Sequence, residues 1–251
     1  MNAQFSAACW PGLNHRMVAA QLLADGAPVE PLFGPLSLDH VQLVPQSFGL
    51  LDEAMADELQ DALPGTLFRL HANVRVLPRH RFADLSGFNQ HRDWFTQAAS
   101  ISKRLGAGAY SAHSGSRKEA TFAQMLDSAR RCEDLFECVV GVEGQYPTPA
   151  GDLLVNSWAE YEALFGSGVS YALDLSHINI LAHHTGERHT DLLAEMLGAP
   201  RCLEVHVSDN DGTGDWHQVC SEPPWWLDLL HHTHPDAVIF SEGNHRRSRK
   251  L

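Results

Sequence analysis

The sequence predicts an α/β chain closed into a (β/α)₈ TIM barrel. Three observations point there. Short apolar runs alternate with amphipathic stretches at helical spacing from one end of the chain to the other. Eight such alternations imply parallel strands joined by crossovers, and closing that sheet on itself is the natural solution. A length of 251 residues matches one barrel, so residues 1–251 read as a single domain without internal repeat or low-complexity segment.

Taken in order, the first strand is predicted at 5–9 and a helix at 15–24. The Pro-rich insert 28–36 reads as loop. A strand at 40–44 and a helix at 51–63 follow, then a strand at 67–74 that ends near His71. The helix at 88–105 is stopped by Gly106 and Gly108. A strand at 109–113 precedes a helix at 120–135. The strand at 138–143 is apolar up to its final Glu143, as a strand covered on both faces should be. A helix at 158–165, a strand at 171–175, a helix at 190–197, a strand at 202–207, a helix at 224–231 and a strand at 237–241 complete the pattern. Only nine residues follow Glu242, ending in the basic stretch 245–251. The last outer helix is therefore expected to be missing or replaced by a partner subunit, such as a second copy of the chain. The basic tail is expected to fray.

Composition narrows the function classes. No apolar run is long enough to span a bilayer, and Met1-Asn-Ala-Gln-Phe-Ser lacks the features of a secretory signal. Five scattered cysteines (Cys9, Cys132, Cys138, Cys202 and Cys220) with no CxxC pair read as reduced thiols, so a cytoplasmic location is expected. The formal charge of −13 argues against duplex DNA, which is bound through phosphate neutralisation. Sixteen histidines point toward metal chemistry.

In a barrel of this kind, reactive side chains sit at the C-terminal ends of the strands. Collecting acids and histidines there gives His71, His113, Glu143, Asp174 with His177, His206 with Asp209, Asp215 with His217, and Glu242. Asp174 and His177 are expected where the chain leaves its strand for a loop. Imidazole and carboxylate together suit zinc, manganese or iron, whereas an all-oxygen set would favour magnesium or calcium. A lone strand-end histidine is more often a hydrogen-bonded loop residue. Glu143, Asp174 and Glu242, however, end strands that look buried, where an unpaired carboxylate is costly. The remaining His183, His184, His189, His231, His232 and His234 read as solvated surface. Trp225 and Trp226 read as helix packing, Arg130-Arg131 and Arg246-Arg247 as solvated pairs, and Gly144, Gly212 and Gly214 as turn glycines.

These residues resemble the xylose isomerase-like TIM-barrel superfamily, and within it the endonuclease IV branch. The resemblance runs from about the third strand to the eighth. His71 follows a strand as that family's first histidine does. Ala112-His113-Ser-Gly-Ser is similar to its His-Pro-Gly-Ser, Val142-Glu143 to its bridging glutamate, and Leu173-Asp174-Leu-Ser-His177 to its Asp-Thr-Cys-His. His206-Val-Ser-Asp209 resembles its His-Leu-Asn-Asp, Asp215-Trp-His217 its Asp-x-His, and Ser241-Glu242 its final glutamate.

The resemblance implies one to three divalent metal ions. His71, His113 and Glu143 would hold the first. Glu143, Asp174, His206 and Glu242 would hold the second, with Glu143 bridging, and His177, Asp215 and His217 the third. It also implies a hydrolase acting on a phosphoester or a similar small anionic substrate. Three departures argue against abasic-site DNA. The segment Ala72-Asn-Val-Arg-Val76 lacks the family's DNA-penetrating wedge, Val219-Cys-Ser-Glu-Pro replaces the usual Leu-Gly-Glu-Gly, and the first strand lacks its histidine. The alternative within the superfamily is a sugar or sugar-phosphate isomerase or epimerase. It would use one metal on Glu143, Asp174, His206 and Glu242, with the two glutamates moving a proton beside a carbonyl and His177 free to contact a sugar. A third reading, a non-catalytic scaffold, rests only on the missing helix.

Overall fold

A computed structural model describes residues 2–246. Eight parallel strands close into a barrel in the order β1, β10, β9, β8, β7, β6, β5, β4. They are β1 (Gln4–Ser6), β4 (Ser37–Leu43), β5 (Leu67–Leu70), β6 (Ala109–His113), β7 (Val139–Glu143), β8 (Tyr171–Asp174), β9 (Cys202–Val207) and β10 (Val238–Ser241). Around them lie α1 (His15–Asp25), α2 (Glu53–Ala62), α3 (Arg92–Arg104), α4 (Phe122–Phe136), α5 (Trp158–Gly166), α6 (Leu175–Thr185) and α7 (Thr190–Gly198). The expected barrel is present.

Helix starts follow from local chemistry. Asn14 and Asp52 accept backbone N–H groups of Met17 and Met55, and Thr121 with Gln124 forms a capping box at α4. The outer faces of the strands bury Phe68, Tyr110 and Val205 under the helices, and the ring of Tyr110 stacks on Phe136 of α4 at 4.3 Å between centroids.

Several expectations need correction. The insert 28–36 is not loop: β2 (Val29–Glu30) and β3 (Gly34–Pro35) pair as a small antiparallel hairpin. Gly34, at φ 70°, supplies the left-handed backbone its turn needs. The strand predicted at 5–9 ends at Ser6, whose side chain caps a 3-10 turn over Ala7–Cys9. The strand at 67–74 ends at Leu70, and the helix at 88–105 begins at Arg92 after a 3-10 turn at Leu85–Gly87. The helix at 224–231 is a short 3-10 stretch, Leu227–His232, entered through Pro223-Pro224, which keep the preceding chain extended. No loop follows Asp174; α6 starts at once. Asp174 Oδ1 accepts the N–H groups of Ser176 and His177, so the residue that ends the strand also caps the helix.

Among the described residues no helix follows β10. The basic tail from residue 247 onward, with the second member of the Arg246-Arg247 pair, lies outside the described residues. Among those described, no helix is long and apolar enough to cross a membrane. Trp226 is buried as expected, and Trp225 donates to Asn179 Oδ1 at 2.7 Å.

The barrel interior is polar. Arg69 on β5 reaches across to Glu204 on β9 at 3.0 Å, Ser111 on β6 donates to the same carboxylate at 2.8 Å, and Ser6 donates to Gln42 on β4 at 2.7 Å. Closure brings Arg69, Ser111 and Glu204 together across the barrel, while Ser6 and Gln42 meet on the neighbouring β1 and β4, and burial requires that each find a partner.

Candidate metal centre

Strand register assembles the site. Parallel pairing sets His113 beside Glu143 on β6 and β7, and Asp174 beside His206 on β8 and β9. His71 and Glu242 lie one residue past β5 and β10. Their backbone N–H groups donate to Leu43 and Val207 of the neighbouring strands, so both stay in line with the sheet. Asp215 and His217 arrive on the segment after β9, which folds back through paired hydrogen bonds between Asp209 and Gln218. His217 holds a left-handed backbone at φ 47°, a strained conformation for a residue with a Cβ.

Glu143 sits at the centre. Its carboxylate lies 3.4 Å from His71 Nε2, 3.8 Å from His113 Nε2, 3.5 Å from His177 Nδ1 and 3.5 Å from His206 Nδ1. Glu242 faces His206 Nδ1 at 3.9 Å and His217 Nδ1 at 3.5 Å. Asp215 contacts His217 Nε2 at 3.0 Å and His177 Nε2 at 3.6 Å, and Asp174 meets the same His177 nitrogen at 3.5 Å.

The nine residues that the resemblance gives as ligands converge here; His71, His113 and Glu143 group as it groups them, and Asp215 contacts both His177 and His217. Three donor sets lie within 4.8 Å internally: His71, His113 and Glu143; His71, His206 and Glu242; Glu143, Asp174 and His177. His177 thus stands with Asp174 as well as with Asp215. Asp209 does not join, because its carboxylate accepts the adjacent Asn210 N–H.

The imidazoles are held from behind. His113 Nδ1 meets Asp84 Oδ1 at 3.2 Å, and Asn73 steadies that carboxylate at 2.8 Å. His206 Nε2 meets Glu204 at 3.1 Å. Ser111 gives its proton to Glu204 and so accepts from His71 Nδ1 at 3.2 Å. His177 Nδ1 donates to the Gly144 carbonyl at 2.9 Å. In each ring one nitrogen is fixed and the other faces the carboxylates, which is how ligating histidines are oriented in metal sites.

Sequence reasoning missed Asp84, Ser111, Arg69 and Glu204. Glu204 had a usable signal: it precedes His206 by two residues on a strand, so both point inward. Asp84 sits in an irregular segment with no spacing to reveal it.

Proton equilibria show what the pocket needs. Burial opposes a charge on His113 and His177, yet Glu143 with Asp84 lifts the first to about 9, and Asp174 with Asp215 lifts the second to about 10. His217 also resists burial and rises to about 9 through Asp215. Burial drives His71 down to about 3 and Glu242 up to about 7. Glu143, although buried, is held well below the usual carboxylate range by His71, His113 and His206. The carboxylates demand nearby positive charge, which protons or cations can supply.

A divalent metal fits this donor set on two further counts. Glu143 Oε2, Glu242 Oε1, His206 Nδ1 and His217 Nδ1 are buried without a hydrogen-bond partner. The donors are nitrogen and oxygen only, a set that suits zinc, manganese or iron.

No protein-family model matches the chain, and no curated protein matches its sequence. Solved structures do. A D-tagatose 3-epimerase-like protein superposes with a TM-score of 0.66 at 15% identity, covering 98% of this chain and 92% of that one. An AP endonuclease of family 2 from Brucella melitensis gives 0.65 at 16% identity over 99% and 95% of the two chains. The IOLI protein, solved with a bound zinc atom, gives 0.61 at 15% identity over 96% and 88%. The chain therefore has the TIM-barrel fold that a D-tagatose 3-epimerase-like protein, an AP endonuclease of family 2 and a xylose isomerase domain protein share.

Proposed function

We propose that this chain is a metal-dependent hydrolase of a phosphoester or a similar small anionic substrate, with more than one divalent transition-metal ion in the centre. The observation that carries this reading is the convergence of His113, Asp215 and His217 on a cluster that already contains Glu143, Asp174, His206 and Glu242. A single ion does not need that many ligands. His71, His113, Glu143, Asp174, His177, His206, Asp215, His217 and Glu242 would hold the ions. Ions bound there would lower the pKa of water and neutralise charge on a phosphoryl group.

The protein supplies orientation and dryness. Asp84, Glu204, Ser111 and the Gly144 carbonyl lock four imidazoles so that no ring must turn when substrate arrives. Glu143, between four imidazoles, is kept ionised and able to bridge two ions. Small size is expected of the substrate because the net charge disfavours nucleic acid. Five free cysteines accord with a cytoplasmic setting.

The second reading, a sugar isomerase or epimerase with one ion, is favoured by one feature. Glu143 and Glu242 both approach the same His206 nitrogen, so the two carboxylates that a proton exchange would use stand close to one ion's position. Metal content and activity of His113→Ala and His217→Ala separate the two. The hydrolase reading expects each variant to lose about one ion and most phosphoesterase activity against an aryl phosphate. Unchanged metal content in both, with sugar epimerisation retained, would overturn it.

A further inference from the structure

Outside the centre, Cys9, Glu30 and His245 bring a sulfur, a carboxylate oxygen and an imidazole nitrogen within 4.8 Å of one another. They come from distant parts of the chain. Cys9 ends the turn after β1, Glu30 lies on the β2–β3 hairpin, and His245 follows β10. Cys9 and Glu30 are fully buried, and the His245 side chain is 19% exposed. The Glu30 carboxylate uses one oxygen to accept from Ser241 Oγ and from His245 Nε2 at 3.0 Å. Its other oxygen, Oε2, is buried with no partner. A buried carboxyl oxygen left without a partner is costly unless a ligand completes it.

We propose that Cys9, Glu30 and His245 form a second metal site of the zinc class, sharing no ligand with the centre. The charges balance: thiolate and carboxylate offset a divalent ion, so the group can be buried at no net charge. Binding takes the Cys9 thiol proton to solvent and leaves the imidazole neutral. The thiolate selects zinc or cobalt over magnesium and calcium. Three protein ligands would leave a fourth position for water.

The backbone is already arranged for this. The His245 N–H donates to the Cys9 carbonyl at 2.9 Å. At Gly243 the chain passes so closely that a Cβ would lie 2.9 Å from Val219 Cα and 3.2 Å from Glu30 Oε1. The ion would tie the hairpin and the segment after β10 to β1, across the β1–β10 seam where the barrel closes.

Cobalt(II) tests the proposal, because the centre holds no sulfur and this site does. Protein loaded with cobalt is expected to show a near-ultraviolet thiolate-to-cobalt charge-transfer band at one equivalent per chain. The band should vanish in Cys9→Ser and lose at least tenfold in cobalt affinity in His245→Ala, while visible absorption from the centre persists. Should Cys9→Ser fail to fold, the partly exposed His245→Ala still decides the matter. A wild type without the band, a band undiminished in His245→Ala, or one lost in Cys220→Ser but kept in Cys9→Ser overturns the proposal.

Discussion

Glu143 Oε2 and His206 Nδ1 face each other at 3.5 Å, and neither atom is hydrogen-bonded. Two complementary groups buried at that separation are too far apart to satisfy each other fully, yet well placed to share a cation. Manganese(II), which has little preference for thiolate, should therefore bind the centre and stabilise the fold. At a hundredfold excess over its dissociation constant, binding contributes about 2.7 kcal/mol, or roughly 5–10 °C in a chain of this size. Calorimetry of metal-free protein with and without manganese checks this. The increment should disappear in Glu143→Ala, and an increment that survives there would remove Glu143 from the ligand set.

Asp84 is expected to act through His113. Its carboxylate fixes Nδ1 and leaves Nε2 facing Glu143. Replacing such a partner commonly costs about 10–100-fold in metal affinity or activity. Titration calorimetry with Asp84→Ala should show that loss with the fold intact, and wild-type affinity would reduce Asp84 to a surface hydrogen bond.

Stability should depend on pH through His15, far from the centre in sequence and chemistry. Both ring nitrogens are buried without partners, and burial lowers the group from 6.5 to about 4. The unfolded chain therefore takes up a proton first as pH falls, and the stability present above 6.5 is lost between 6.5 and about 4. A fall from 6.5 to about 4 corresponds to about 3 kcal/mol. His15→Leu should remove this component, so urea midpoints of variant and wild type should diverge as pH is lowered. Parallel pH profiles would show that His15 titrates normally.

Gly144 is held by packing. A Cβ at this position would lie 2.4 Å from the Tyr161 ring, which is itself pinned by its hydroxyl donating to the Gln145 carbonyl at 3.0 Å. Gly144→Ala should cost about 1–3 kcal/mol as an overpacked core does. Because the Gly144 carbonyl orients His177, metal affinity should fall with it. A denaturation midpoint equal to wild type would mean that the ring moves aside freely.

The barrel and the nine clustered side chains were legible because both depend on local pattern. The run Val140–Val142 is buried in the covered sheet, and a carboxylate at the end of such a run marks the end of the barrel where the donors gather. The start of α6 was misread because Asp174 plays two parts: a residue that looks like a strand-end ligand is also a helix cap. The hairpin at 28–36 was hidden because two-residue strands carry too little periodicity to register.

Closure of the barrel decided the rest. Arg69 meets Glu204, and Asp84 meets His113, only because strands or loops distant in sequence are brought side by side. Which imidazole nitrogen faces the centre depends on those partners, and none of them is close to its histidine in sequence except Glu204. Residue types at strand ends determine that a cation-binding cluster can exist. The three-dimensional pairing of buried polar groups decides how it is oriented, because in a dry interior each donor and acceptor must be satisfied by whatever the fold sets beside it.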